Sequence, residues 1–269
     1  MLPGTFQLIA HRGASAEAPE NTAAAFRIAQ QTGATDVELD VRLSRDGHLI
    51  VFHDKFLHPK IARDGRAEDY PLHELERMDI GAWFDSVGRV AMYREGSGWT
   101  QPPSALSFRG ELLLSFGAYL DTFGLAFHHH IELKGSETDI ADRVLRAILA
   151  AGIHDRCTLS SYHLEHIVRT RRLDASIALV WLSGRAHEQF ESAAAIPAAL
   201  EAGANGMGIA VNRLEPNVVR LFRAAGLSIR GTHVHTVADL RFAHAGGSDG
   251  VTVNWIRQAL SLDLSAQSD

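Results

Sequence analysis

Gln7-Leu8-Ile9-Ala10-His11 and Asp36-Val37-Glu38-Leu39-Asp40-Val41-Arg42 are two apolar runs on either side of a stretch beginning Asn21-Thr22 and stopped by Gly33. Each run reads as a strand. Asn21 or Thr22 can cap a helix that extends to about Gln31. A strand, a helix and a strand joined by short links predict a parallel, right-handed unit. In the second run apolar residues alternate with Glu38 and Asp40, so both carboxylates leave the same face. Like charges that close repel and raise a pKa unless a cation sits between them.

The alternation recurs along the chain. A helix is expected near Leu112–Phe123, a strand at His129–Leu133 and a helix over Thr138–Ala151. Strands follow at Cys157–Ser160, Ile177–Trp181, Gly206–Ala210, Leu227–Thr232 and Gly250–Val253. Between them lie helices near Leu164–Arg171, in an Ala-rich stretch, at Glu215–Ala225 and at Val237–Ala245. Eight strand–helix repeats predict one α/β domain, a (β/α)8 TIM barrel, with chemistry at the C-terminal strand ends. His11, Glu38, Asp40 and Glu132 all fall at or near those ends.

A small insertion follows the second strand, at about residues 55–110, where charge, Gly and Pro accumulate around a short helix at Leu72–Met78. Ile80, Trp83 and Phe84 need burial there, which marks it as a subdomain of the single 1–269 barrel. Ahead of it, Asp46-Gly47 is the favoured two-residue hairpin turn. A hairpin closed there sets Arg45 against His48 and Asp40 opposite His53. Facing residues have Cβ atoms roughly 4.5–5.5 Å apart, which would bring an imidazole beside the two carboxylates.

The 269 residues, 22% charged and 46% hydrophobic, are ordinary for a globular protein. A net charge of −6 gives no basic footprint and argues against a general nucleic-acid binder. A phosphate-bearing small molecule remains compatible, because a local metal can supply positive charge. Cys157 is the one cysteine and cannot form an internal disulfide. The N-terminal residues lack a basic region before an apolar run, and no apolar stretch approaches the ~18 residues of a membrane span. A cytoplasmic location without stable membrane insertion is the default expectation, and a homo-oligomer is compatible with the sequence.

In His130-Ile131-Glu132-Leu133-Lys134 the alternation sends Glu132 and Lys134 to one side. Glu38, Asp40 and Glu132 would then converge from adjacent strands. Three carboxylates suit a hard divalent cation, Mg2+ or Ca2+. Each acid taken singly reads first as the partner of a neighbouring Arg or Lys, and it is the convergence of three that favours site chemistry. His11 and His53 would flank the metal and divide the work of base and acid. Arg12 and Lys134 are candidates for gripping a phosphoryl group, or for balancing the acids. His128, His129 and His130 alternate faces, cannot form one metal site, and read as packing residues. Trp181 and Trp255 stand at strand ends, where they could line a cleft or fill the core.

Together these residues resemble the glycerophosphodiester phosphodiesterase family. The resemblance is carried by His11-Arg12-Gly13, Pro19-Glu20-Asn21-Thr22 with Phe26 and Gly33, Glu38-Leu39-Asp40-Val41, Asp46-Gly47 with His53-Asp54, and Ile131-Glu132-Leu133-Lys134. It continues through Gly81-Ala82-Trp83-Phe84 and is loose beyond Lys134. It implies metal-dependent hydrolysis of glycerophosphodiesters to glycerol phosphate and an alcohol. It also implies metal ligation by Glu38, Asp40 and Glu132, acid–base work by His11 and His53, and phosphate binding by Arg12 and Lys134. Departures lie later, where Arg230-Gly231-Thr232-His233-Val234 and Val253-Asn254-Trp255-Ile256 replace the family's usual strand-seven and strand-eight segments. Two further readings compete: a phospholipase D-like activity on lysophospholipids or sphingolipids, and a non-catalytic phosphate-ester binding protein.

Overall fold

A computed structural model describes residues 6–88, 106–137, 139–183 and 195–264. Eight parallel strands close into a barrel: β1 (Gln7–His11), β2 (Asp36–Leu43), β5 (His128–Leu133), β6 (Cys157–Ser161), β7 (Ala178–Leu182), β8 (Gly206–Ala210), β9 (Ser228–Thr232) and β10 (Gly250–Val253). Closure is made by β1, which pairs with β2 on one side and with β10 on the other. Two short antiparallel strands, β3 (Leu49–Val51) and β4 (Leu114–Ser115), extend the sheet beside β2. Among the described residues no helix is long and apolar enough to cross a membrane.

Period-two patterning sets the layers. Val37, Leu39 and Val41 of β2 and Ile131 and Leu133 of β5 join Phe26, Tyr119 and Phe123 in the main core. The alternate residues Glu38, Asp40 and Glu132 carry the polar side chains of the same strands. On β5 the expected packing of the histidines is seen. His129 Nδ1 lies 2.7 Å from the Tyr119 hydroxyl, and His130 Nε2 lies 3.0 Å from Asp36 Oδ1. Helix Ile140–Ala150 turns Ile140, Ala141, Val144, Leu145 and Ile148 inward, a single apolar stripe. The expected start of that helix at Thr138 lies outside the described residues.

Thr22 caps helix Ala23–Gln31, its hydroxyl oxygen accepting from Ala25 N at 3.3 Å. The hairpin differs from expectation by one residue. Leu43 pairs with Leu49, Ser44 N donates to His48 O at 2.8 Å, and Phe52 N donates to Asp40 O at 3.0 Å. Asp40 therefore opposes Phe52, not His53, and Ser44 rather than Arg45 stands across from His48. The loop has three residues, Arg45-Asp46-Gly47. Ser44 holds it: its hydroxyl donates to Asp46 Oδ1 at 2.6 Å and accepts from His48 N at 2.9 Å. Gly47 takes the left-handed conformation (φ 78°) that closes such a loop.

The helix expected from Leu112 begins at Phe116, because Leu114 and Ser115 pair with β3 and Ser115 caps it. Ile50 of β3 and, after it, Phe52, Leu57, Ile61, Leu75, Met78, Ile80 and Leu113 form an apolar cluster separate from the main core. Ile80 and Phe84 are buried as expected, and Trp83 is half-buried. The rest of the expected insertion, residues 89–105, and the beginning of the Ala-rich helix lie outside the described residues.

Candidate active site

Barrel register carries the acids to one place. His11 is in line with Glu38 across β1–β2, and Asp40 is in line with Glu132 across β2–β5. One carboxylate oxygen from each of Glu38, Asp40 and Glu132 lies within 4.8 Å of the others, and all three residues are buried. The corner after β1 completes the arrangement. Arg12 adopts φ 58°, strained for a side chain with a Cβ, and its amide donates to Glu38 Oε2 at 3.1 Å. Gly13 follows at φ 80°, and a Cβ there would lie 2.7 Å from the Ala25 carbonyl carbon.

Ion pairs hold the acids. Arg12 reaches Glu20 Oε1 at 2.8 Å and Asp40 Oδ2 at 3.2 Å. Lys134 reaches Asp40 Oδ1 at 3.2 Å and Glu132 Oε1 at 2.5 Å. Asn21, also left-handed at φ 58°, donates from Nδ2 to Asp40 Oδ2 at 2.8 Å. Burial pushes the Asp40 pKa up, but Lys134, His53, Arg12 and the Asn21 hydrogen bond outweigh it and hold the carboxyl well below its usual range. Glu38 goes the other way: burial, then the charge of Asp40, raise its pKa well above the ordinary value.

His11 and His53 both reach this cavity and keep 30% of their side-chain surface exposed. His11 Nδ1 lies 2.6 Å from Asn254 Oδ1, which as a carbonyl can only accept, so Nδ1 carries the proton and Nε2 presents a lone pair. That Nε2 is 3.9 Å from Glu38 Oε2. Burial and then Arg12 push the His11 pKa down to about 3, so the ring is neutral at pH 7. His53 Nδ1 donates to Asp54 Oδ1 at 2.7 Å. Lys60 bridges Asp54 Oδ2 at 2.9 Å and Glu20 Oε1 at 2.7 Å. Glu20, His53 and Asp54 are also close enough to share an ion, but Lys60 already occupies the charge-balancing place.

The cavity has a volume of about 340 Å³. Its lining holds His11, Arg12, Glu38, His53, Glu132 and Lys134 on one side. Tyr162, Leu182, Arg230, Thr232, His233, Val234, His235, Thr252 and Asn254 complete it. Trp255 does not line it. It is 4% exposed within the main core, and Asn254, one residue earlier, faces the cavity instead. Trp181 is likewise buried.

Asn254, Lys60, Tyr162 and Arg230 receive no role from the sequence alone. Asn254 is within reach of a register argument: β1 pairs with β10 at a constant offset, Ala10 with Val253, so the next pair is His11 with Asn254. Arg230 gives one signal, a charged residue inside an otherwise uncharged strand.

A divalent cation fits the triad. Asp40 Oδ1 and Glu132 Oε1 are buried and, among the described residues, have only the Lys134 ammonium as a polar partner, at 3.2 and 2.5 Å. Glu38 resists ionising in this setting, a penalty that a bound cation removes. An all-oxygen donor set matches hard ions such as Mg2+ or Ca2+.

Acid triad, imidazoles and cations of this kind on a (β/α)8 barrel define a class, the phosphoric diester hydrolases. Residues 11–257 match the Glycerophosphoryl diester phosphodiesterase family, and the chain belongs to that family. It is 28% identical over 264 residues to the Glycerophosphodiester phosphodiesterase of Bacillus subtilis (strain 168), covering 94% of this chain and 85% of the relative. Among solved structures it resembles the glycerophosphodiester phosphodiesterase of Agrobacterium tumefaciens str. C58, with TM-score 0.75 and 24% identity, over 95% of this chain and 100% of that one. An Oleispira antarctica phosphodiesterase in complex with the product sn-glycerol-3-phosphate shares the fold at TM-score 0.72 and 22% identity, over 95% of each chain.

Proposed function

We propose that this glycerophosphodiester phosphodiesterase works with one divalent cation held by Glu38, Asp40 and Glu132, and with His11 and His53 as its base and acid. The observation that carries the reading is the buried carboxylate triad, two of whose oxygens have only the Lys134 ammonium as a polar partner among the described residues, beside two cavity-facing imidazoles. When bound, the cation would polarise a phosphoryl oxygen as a Lewis acid.

The chain's own residues divide the remaining work. His11, neutral and oriented by Asn254, takes the proton of the attacking hydroxyl, from water or from a neighbouring hydroxyl of the substrate, at Nε2. His53 gives its Nε2 proton to the departing alcohol oxygen, and the Asp54 carboxylate at Nδ1 stabilises the imidazolium that supplies it. Arg12 and Lys134 position the triad and lend positive charge to the phosphoryl group. The Oleispira antarctica neighbour's bound sn-glycerol-3-phosphate supports glycerol phosphate as the product here.

Chelation followed by separate return of Mg2+, Ca2+ and Mn2+ tests this, with bis-p-nitrophenyl phosphate and glycerophosphocholine as substrates. Activity lost on chelation and restored by one cation is the expected result. Undiminished hydrolysis by protein shown to be metal-free would overturn it.

A further inference from the structure

Each of three cations around the cavity is committed to two acids: Arg12 to Glu20 and Asp40, Lys134 to Asp40 and Glu132, Lys60 to Glu20 and Asp54. Arg230 is built differently. The residue is only 8% exposed, yet no carboxylate lies within 4.0 Å of it among the described residues. Its Nε and Nη1 are buried and have no hydrogen-bond partner there. A guanidinium offers five N–H donors and no acceptor, so these are unmet donors on a buried charge. Such a group costs stability in the empty protein unless something in the functional state answers it.

Its position says what answers it. Arg230 lines the same cavity as the triad, but β9 lies across the closed barrel, four strands from β5 one way round and three from β2 the other. Its register neighbours are Gly208 on β8 and Gly250 on β10, so neither adjoining strand places a side chain beside it at that level. Glu38 and Glu132 are the acids whose charge it feels, from beyond ion-pair distance across the cavity. That gap is where a phosphoryl group seated at the triad would lie.

We infer that Arg230 is a substrate-binding residue that grips the non-bridging phosphoryl oxygens of the diester from the wall opposite the carboxylate triad. The assignment rests on the proposed hydrolytic reading of this same cavity. It makes Arg230 the cation reserved for substrate, and Arg12 and Lys134 chiefly holders of the acids.

The test uses the full chain with Mg2+ present, as wild type, Arg230→Gln and Arg230→Lys. Calorimetry follows binding of inorganic phosphate and of sn-glycerol 3-phosphate, kinetics give kcat and KM for glycerophosphocholine and glycerophosphoserine, and the Tm is taken without metal. In R230Q both phosphates should bind at least about tenfold more weakly. KM should rise by a similar factor for both diesters, with kcat within about threefold. R230K, a point charge without the planar fork, should recover part of the affinity. The Tm of R230Q should rise, because a buried unmatched charge has gone. Unchanged phosphate affinity in R230Q, or an R230Q chain that does not fold, would make the guanidinium structural and overturn the inference. A loss confined to glycerophosphoserine would move Arg230 to the alcohol's acid group and overturn it too. A wild type that binds glycerol phosphate but hydrolyses neither diester would sink the hydrolytic reading while leaving the Arg230 measurement intact.

Discussion

The wall of the cavity formed by β1, β2 and β5 and the wall formed by β7 to β10 hold their polar groups in different ways. On the first, acids and cations interlock: Arg12, Lys134 and Asn21 meet Asp40 directly, and the Arg12 amide meets Glu38. On the second, Leu182, Thr232, Val234 and Thr252 are neutral, His233 and Asn254 are held by Thr232 and His11, and Arg230 has no acid partner among the described residues. A charge network that dense positions groups to within tenths of an ångström, as reaction chemistry requires. A looser wall suits contacts made only when substrate arrives.

Substitutions on the first wall should therefore be the costlier. Glu132→Gln removes one of three anionic oxygens from the triad and leaves Lys134 with Asp40 alone. Metal affinity measured by Mn2+ titration should fall by more than about a hundredfold, with hydrolysis falling alongside. Retained affinity would take Glu132 out of the metal site and weaken the contrast between the walls.

On the proposed reading, in which the imidazole moves a proton and ligates no metal, His53→Ala should reduce kcat by roughly 10²–10⁴-fold while Mn2+ affinity stays within about threefold of wild type. A fall confined to substrates with poor leaving groups would sharpen the assignment, since bis-p-nitrophenyl phosphate needs little protonation of its leaving oxygen. Activity unchanged on glycerophosphocholine would remove His53 from the mechanism.

Asn254→Ala tests the seam where the walls meet, and its expected effect is the smallest, about tenfold in kcat/KM. Burial and Arg12 lower the His11 pKa, and the Asn254 hydrogen bond is the largest influence raising it. Without that bond the pKa drops further, so the acidic limb of the pH–rate profile should move to lower pH even as the rate falls. A limb that stays in place would mean that another group sets it.

Much of the first wall is legible in the amino-acid sequence. Glu38, Asp40 and Glu132 share faces because side chains alternate along a strand, a local rule that needs no knowledge of neighbours. The same rule separates His129 from His130, and the two bond to Tyr119 and Asp36 respectively. Local rules fail where one residue of register matters. Asp46-Gly47 favours a two-residue loop, but bonds from the Ser44 side chain hold a three-residue one, so Asp40 faces Phe52. Trp255 misleads for a related reason: a one-residue difference in direction puts it in the core and Asn254 in the cavity.

By itself, then, the sequence determined the order of the barrel strands, the (β/α)8 architecture and the identity of the carboxylate triad, because side-chain periodicity acts over a few residues. Tertiary structure alone decided which groups answer one another across the mouth. Closure of β10 onto β1 sets Asn254 against His11, 243 residues away in the chain. The segment after β3 brings Lys60 to Glu20 and Asp54, and the circular strand order faces Arg230 toward acids on the far side. Electrostatic pairing depends on distance through space, and only the closed barrel sets that distance.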